Sequence, residues 1–324
     1  MPSLKEIKGR IGSVKSTLKI TSAMKLVASA KLRKAQQTIE GMRPYERKLQ
    51  EILARLMEQG GTAAAVSGAF SRVKSQSDAE EAAAAAPQRI ALVAFASNSS
   101  LCGAFNANVV RLALETLRSY GNADVTVYSV GRKMAESMKK VGKISPEDYQ
   151  KLADKPSYAP AAELAGALME DFREGRLDRV DLVYNHFVSS GKQVPVRETL
   201  LPMEISPLAA LGRNDKKEVA STDTPSAISS GAEGAVEKSD VDYILEPSAA
   251  ELLGELIPKS LRLKFYTALL DSNASEHAAR TVAMQTATDN GEDLLQELTL
   301  QYNKGRQQKI TSEILDLAGG SQEK

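Results

Sequence analysis

The residues best placed to do chemistry lie between Ser97 and Phe105. Here Ser97-Asn98-Ser99-Ser100-Leu101-Cys102-Gly103 follows an apolar strand-like run and precedes an amphipathic helical pattern. In a nucleotide-binding α/β domain, a turn at this place brings backbone N–H groups and the positive end of a helix to a phosphate. Such a turn needs glycines at fixed spacing, G-x-G-x-x-G or G-x-x-x-x-G-K-[ST], so that the backbone can approach the pyrophosphate. Neither pattern occurs, and Gly103 stands alone. The two histidines, His186 and His277, lie far apart with no companion cysteine pair and no metal-ligand spacing, and they read as structural. No serine sits in a G-x-S-x-G context, which excludes the strained elbow of an α/β-hydrolase. The single cysteine, Cys102, leaves no partner for an internal disulfide and fits a reducing compartment. With no histidine or cationic cluster nearby, it reads as a small buried residue. The sequence therefore nominates no catalytic residue, no metal site and no cofactor.

Two other sets of residues call for a macromolecular partner. The net charge is +1, too small to argue for nucleic acid, yet between Lys5 and Lys34 there are nine basic residues against one acid, Glu6. A basic stripe of this kind suits an acidic partner, an anionic membrane or phosphate backbones, or is a solvated helix face. Ile20, Met24 and Val27 add an apolar stripe on the same segment, to be covered by a partner or by the chain's own middle. Near the other end, Lys304, Arg306, Gln307, Lys309, Thr311 and Glu313 surround Ile310 and Ile314, a set of polar hooks or a solvated surface.

The elements that must carry these residues are long. Leu4, Ile7, Ile11, Val14, Leu18, Ala28, Leu32, Ala35, Ile39, Met42, Leu49, Leu53 and Leu56 keep a heptad register that only Thr21, Lys25 and Glu46 interrupt. That predicts one helix, roughly 80 Å long at 1.5 Å per residue, whose narrow stripe is covered by another helix. From Pro247 to Leu317 a second, less regular helical pattern includes Leu252, Leu256, Leu263, Leu270, Ala274, Met284, Leu294, Leu298, Tyr302, Ile310 and Ile314, with Pro258, Asn290 and Gly291 expected to bend it. An antiparallel pair made from the two ends of the chain follows. A parallel dimer of the first helix is the alternative.

Between them, apolar runs at 89–96, 124–130 and 180–188 alternate with helical patterns at 105–118, 132–141 and 161–174. Residues 180–188 are expected to pair with 194–201 across a Ser189–Lys192 hairpin, and 145–160 to be loop. This is a small, mainly parallel α/β domain with an antiparallel edge, Rossmann-like in order. The expected division is an amino-terminal coiled-coil helix (1–58), a connector (59–87), the α/β domain (88–212), a polar disordered insertion (213–240) and a carboxyl-terminal coiled-coil helix (241–324). No apolar run reaches the length of a membrane span, and the charged amino end lacks the apolar core of a signal peptide. A mature protein on the cytoplasmic side is expected.

With these residues in view, the chain resembles the gamma subunit of the F-type ATP synthase. The likeness is carried by Lys19-Ile-Thr-Ser-Ala-Met-Lys-Leu-Val-Ala-Ser-Ala-Lys-Leu-Arg-Lys-Ala and Arg43-Pro-Tyr at one end. At the other it is carried by Ser275-Glu-His-Ala-Ala-Arg-Thr-Val-Ala-Met, Ala287-Thr-Asp-Asn-Gly and Tyr302-Asn-Lys-Gly-Arg-Gln-Gln-Lys-Ile-Thr-Ser-Glu-Ile. Leu101-Cys102-Gly103, Glu174-Gly-Arg-Leu-Asp and Gln193-Val-Pro carry it through the middle. The family's usual Asp-Arg-Gly before Leu-Cys-Gly is replaced by Asn98-Ser99-Ser100, which removes the charges of that loop. Gly305 stands where alanine is common, and the 213–240 insertion has no counterpart in compact members.

The resemblance implies a non-catalytic rotor. Its paired terminal helices would fill a ring of three alpha and three beta subunits, with the α/β domain against the epsilon subunit and the membrane-embedded c-ring, peripheral to the cytoplasmic face of the inner membrane, with no membrane insertion and no nucleic acid. By position, Met24 and Lys25 match the contact with the acidic lever loop of beta. Arg306, Gln307, Thr311, Glu313 and, more loosely, Asp316 match the upper catch-loop contact, and residues 193–207 match the foot. A non-rotary coiled-coil adaptor and a Rossmann-type enzyme are the competing classes; salt-dependent binding would mark the first and nucleotide binding by the isolated chain the second. Deleting residues 213–240 is expected to leave assembly of the complex intact, as read by copurification; failure to assemble would show the segment to be structural.

Overall fold

The computed structural model describes residues 3–58, 70, 89–203, 246 and 248–320; the insertion assigned above, and the connector apart from Phe70, lie outside the described residues. Two helices dominate: α1 (Leu4–Glu58) and, at the other end, a helix spanning Ala249–Gly320, of 55 and 72 residues. At 1.5 Å per residue they are roughly 80 and 110 Å long. Between them run β1 (Arg89–Phe95), α2 (Phe105–Ser119), β2 (Asp124–Val130), α3 (Arg132–Lys139), α4 (Gln150–Asp154), α5 (Tyr158–Arg173), β3 (Arg179–Ser189) and β4 (Lys192–Leu201), making the long carboxyl-terminal helix α6.

The sheet is mixed, in the order β2-β1-β3-β4. β1 pairs in parallel with β2 and β3, while β3 and β4 form an antiparallel hairpin closing at Ser189 and Lys192. Alternation along β1 explains its unbroken apolar run. Ile90, Leu92 and Ala94 pack with Val109 and Ala113 of α2 and Met134 and Met138 of α3, while Ala91, Val93 and Phe95 pack in the core shared by α5 and α6. Both faces are covered, so every position is apolar. At the mouth of the sheet Gly131 has φ +104, and a Cβ there would lie 2.1 Å from the Ala96 carbonyl oxygen; only glycine allows this approach. The one charge buried in the sheet, Asp181, is held by Arg179 at 2.9 Å and Arg197 at 2.8 Å, with the Tyr120 hydroxyl as a further donor, as burial of a carboxylate requires.

The two long helices pack antiparallel. Leu4 lies against Gly305, Leu18 against Gly291, Thr21 against Thr288 and Lys25 against Gln285, so position falls along α6 as it rises along α1. The intramolecular pair, not a parallel dimer of α1, is the arrangement found. Pro258, Asn290 and Gly291 all lie inside an uninterrupted α6. Gly291 marks close approach and not a break, since a Cβ there would lie 2.7 Å from Leu18 Cδ2. The polar interruptions of the seam are likewise answered: the Thr21 and Thr288 hydroxyls lie 3.0 Å apart in a buried setting, and Lys25 Nζ donates to Gln285 Oε1 at 2.7 Å.

Two expectations need correction. Residues 145–160 are not all loop, because α4 forms there and α5 already starts at Tyr158; Leu152 and Ala153 supply α4 with its buried side. Leu294, Ile310 and Ile314 do not belong to the seam and are exposed. For Ile310 and Ile314 the reason is length: α1 starts opposite Gly305, so the last part of α6 has no mate. Conversely, residues 261–279 of α6 are buried nearly all round, because α1 and the α/β layers enclose them together.

Phe265, fully buried with its ring 5.6 Å from that of Phe95, joins α6 to the sheet. Phe265→Ala is expected to lower stability by about 3–5 kcal/mol, whereas Leu300→Ala, at a site 70% exposed, should change it by less than about 0.5 kcal/mol. Denaturant unfolding of both variants checks the contrast.

Candidate functional surfaces on the shaft and the strand-turn-helix

The turn that could have held a phosphate is filled by its own side chains. Ser97 Oγ lies 2.6 Å from the Ser99 carbonyl oxygen and 3.0 Å from Asn106 Oδ1, and Asn106 Nδ2 approaches Cys102 Sγ at 3.1 Å. Asn98 Oδ1 accepts from the Arg132 N–H at 2.9 Å while its Nδ2 donates to the Gln150 carbonyl at 2.8 Å. Leu101, at φ +65, turns its side chain out to solvent. Cys102 is buried, as its composition suggested. The loop is fastened to α6 by Arg280, whose Nη2 donates to Ser99 Oγ at 2.7 Å and whose Nη1 pairs with Glu276 at 2.6 Å. A neutral hydroxyl thus receives the guanidinium here. At the mouth of the parallel strands, α6 itself sits over the carboxyl end of β1 through Phe265.

The histidines are separate and structural in their contacts. His186, on β3, has Nδ1 2.6 Å from Asp271 Oδ2 of α6; that bond raises its pKa above the ordinary value, with burial opposing. His277, on α6, is buried, and burial together with Lys31 and Arg280 lowers its pKa to about 4. Its Nδ1 has no hydrogen-bond partner among the described residues, so the ring stays neutral. Among the described residues no group of acidic, histidine or cysteine side chains has the arrangement of a metal site.

The surfaces expected to meet partners are open. Ile20, Met24 and Val27 are 58%, 39% and 59% exposed; the α/β domain does not cover them. Lys25 is half-buried against Gln285. Along the basic stripe, Arg10 pairs with Glu6 and Lys31 reaches Asp154 at 4.0 Å, while Lys5, Lys8, Lys15, Lys19, Arg33 and Lys34 are exposed and make no ion pair among the described residues. Such uncompensated charge on a rigid rod is an electrostatic target. On the unpaired end of α6, Arg306, Gln307, Thr311 and Glu313 are exposed; among the described residues Thr311 Oγ1 bonds only its own helix, to the Gln307 carbonyl, and Glu313 lies 3.6 Å from Lys309. Asp316 lies in α6, its side chain outside the described residues. Met24 and Lys25 therefore sit far along the rod from Arg306, Gln307, Thr311 and Glu313, in separate surfaces and not in one site. Ile310, Ile314 and Leu315, 46%, 59% and 65% exposed, lie beside the second set. Leu315 was missed in the sequence because its register falls off the seam. Of the foot segment, 193–203 is described and 204–207 lies outside the described residues.

Comparison with known proteins gives a consistent answer. A family model described as ATP synthase matches residues 3–322. The chain is 51% identical to the ATP synthase gamma chain of Bacteroides fragilis and 50% identical to that of Phocaeicola vulgatus, in each case over 324 residues and 99% of both chains. It is 38% identical over 322 residues to that of Flavobacterium johnsoniae. Among solved structures it is similar to a chain of the Euglena gracilis mitochondrial ATP synthase (OSCP, F1 and c-ring, rotational state 3), with TM-score 0.57 and 20% identity over 98% of this chain and 93% of that one. It is also similar to one from the Tetrahymena thermophila central stalk and c-ring, with TM-score 0.53 and 23% identity over 83% and 99%. These two likenesses are of fold.

Because Ile310 and Ile314 are already exposed, the double substitution Ile310→Asp/Ile314→Asp is expected to leave the stability of the chain alone within about 0.5 kcal/mol. Thermal unfolding checks this, and a large loss would mean that the end of α6 folds back on the chain.

Proposed function

This chain belongs to the gamma-chain family of the ATP synthase, and on that premise we propose that it is the central rotor shaft of such an enzyme. Rotation driven by ion flow through the membrane c-ring is coupled by this shaft to conformational cycling of the catalytic alpha/beta ring. The observation that carries the reading is the match to gamma chains along the whole length at about half identity, joined to a rod whose two helices end at different heights. An asymmetric rod inside a threefold ring offers a different face to each of three otherwise identical sites. Turning it changes their nucleotide affinities in sequence, a coupling between sites carried by a stiff body.

In this reading the paired helices α1 and α6 are a coiled coil, supported by the heptad seam and its antiparallel contacts. The central domain is Rossmann-like, supported by its β2-β1-β3 parallel order with helices on both faces. The partners are three alpha and three beta subunits, the epsilon subunit and the c-ring, and the complex holds the chain peripherally at the cytoplasmic face of the inner membrane. No helix among the described residues is long and apolar enough to cross a membrane. The ring supplies the catalytic residues, and this chain transmits torque.

Met24 and Lys25 meet the acidic lever loop of beta, which gives the free cations of α1 their counter-charge. Arg306, Gln307, Thr311, Glu313 and Asp316 meet the catch loops, and residues 193–207 stand on the c-ring. The open apolar stripe at Ile20, Met24 and Val27 and the unmated end of α6 support both assignments. A non-rotary adaptor would leave the same helices free to bind nucleic acid or anionic lipid. Copurification separates them, since the rotor requires a complex rich in P-loop ATPase subunits.

Lys25→Glu sets like charges together at the lever-loop contact and also replaces the Nζ donor that Gln285 Oε1 accepts from with a carboxylate. Proton-driven ATP synthesis in membrane vesicles is expected to fall several-fold relative to ATP hydrolysis. Undiminished synthesis would remove the electrostatic part of the assignment.

A further inference from the structure

The joint between the shaft and the globular domain contains an ionic cluster that neither the lever nor the catch surface uses. Asp271 and Lys264 come from α6, Glu198 from β4, His186 and Tyr184 from β3, and Arg43 and Glu46 from α1. His186 Nδ1 stands 2.6 Å from Asp271 Oδ2; Lys264 Nζ pairs with Glu198 at 2.9 Å; the Tyr184 hydroxyl donates to Glu198 at 3.0 Å. Glu46, the third interruption of the α1 seam, faces Asp271, Glu198, Arg43 and Lys264. Of these groups Asp271 and Glu198 bear on His186, against Arg43, and the charged imidazole is the group that offsets them.

We propose that His186 and Asp271 form a proton-operated tie between β3 and α6, closed when the imidazole is charged and slack when it is neutral. The neutral ring can still donate from Nδ1, but it loses the charge that offsets Asp271 and Glu198 in a half-buried setting, where such pairs are screened less than at an open surface.

The sign follows from linkage. The bond to Asp271, and then the Asp271 and Glu198 charges, raise the His186 pKa above 6.5, against burial and Arg43. The tie therefore contributes fully below the unfolded value and is lost as pH rises through the folded value above it. Glu46, raised by burial and then by Asp271 and Glu198, acts in the same direction at lower pH, from about its unfolded value upward. His277 acts oppositely: with a folded pKa of about 4, its protonation costs stability as pH falls below 6.5, and it is neutral in both states at higher pH. Above about pH 6.5 the His277 contribution fades, and comparison with His186 variants that keep His277 cancels what remains.

The tie is a property of the chain itself, so the test does not depend on the rotor reading. The thermal midpoint of the full-length chain is measured between about pH 6.5 and pH 9, with the imidazole titration of His186 followed by NMR. The wild-type midpoint is expected to fall by roughly 2–4 °C across that range relative to His186→Lys, which keeps its charge until Lys titrates. His186→Gln is expected to begin low and stay flat, and Glu46→Gln to keep the wild-type slope. A wild-type slope retained in His186→Gln, or a His186 titration at or below the ordinary value, would overturn the tie.

Discussion

Everything in this molecule depends on the burial of one stretch of α6. Residues 261–279 are enclosed by α1 on one side and by the sheet and α5 on the other, so that Phe265, Leu269, Leu270 and Ala274 belong to the core that also holds Leu49, Leu53 and Leu56 of α1 and Val93 and Phe95 of β1. A helix pair alone buries a narrow seam. Here the same helix is also the inner layer of an α/β sandwich, and torque applied to the domain must pass into the rod through close-packed side chains that have low compressibility. Where polar groups enter this zone they are tied across elements: Ser275 Oγ donates to the Asn185 carbonyl and Asn273 Nδ2 to that of Ala153. Sliding α6 along its axis would break these bonds in a buried place, where an unmet polar group costs about 1–3 kcal/mol.

The periodicities made much of this readable. The seam of α1, the three parallel strands and the hairpin at Ser189–Lys192 all follow from spacing, because a half-buried helix and a fully buried strand each leave a distinct apolar rhythm. The dual role of residues 261–279 left no such rhythm. A helix covered on all sides shows apolar residues and small polar ones at every position, so Ser272, Asn273, Ser275 and Glu276 break the apolar rhythm although they are buried. The helix of 150–154 was missed because five residues are too few to show a period, and Ile310 and Ile314 were drawn into the seam because a pattern cannot reveal where its partner helix begins. Met24 and the hooks from Arg306 to Glu313 stood out in the sequence with a partner and a bland reading both open, and Lys25 stood out as an interruption of the seam; their assignment to particular loops came from resemblance and not from geometry.

The absence of a phosphate-binding glycine pattern from the turn at 97–103, where Gly103 stands alone, has a physical counterpart. A phosphate-binding turn leaves backbone N–H groups pointing into space, whereas here Ser97, Asn98 and Asn106 occupy that space and Arg280 draws the turn onto α6. The place where a related architecture would bind a ligand has become a fastening between domain and rod. Asn98 and Ser99, which stand where the resemblance expects Asp and Arg, keep the fastening, since the Arg280 guanidinium is paired with Glu276 and takes Ser99 Oγ as its acceptor from the loop.

The rod's polar interruptions follow the same logic. A seam of leucines alone would hold two helices together while tolerating slippage by a heptad; the buried Thr21–Thr288 pair matches at one register only, the use of buried polar pairs that is best supported in helical coils, and Lys25 facing Gln285 at the half-exposed edge of the seam matches in the same register. Gly291 and Gly305 add a steric version of that constraint, because Leu18 and Leu4 lie where any larger side chain on α6 would have to displace them. These features fix how far α6 extends past the start of α1. That overhang is what makes the rod lopsided at its tip, so the register of the pair determines which side chains the unmated end presents to its surroundings.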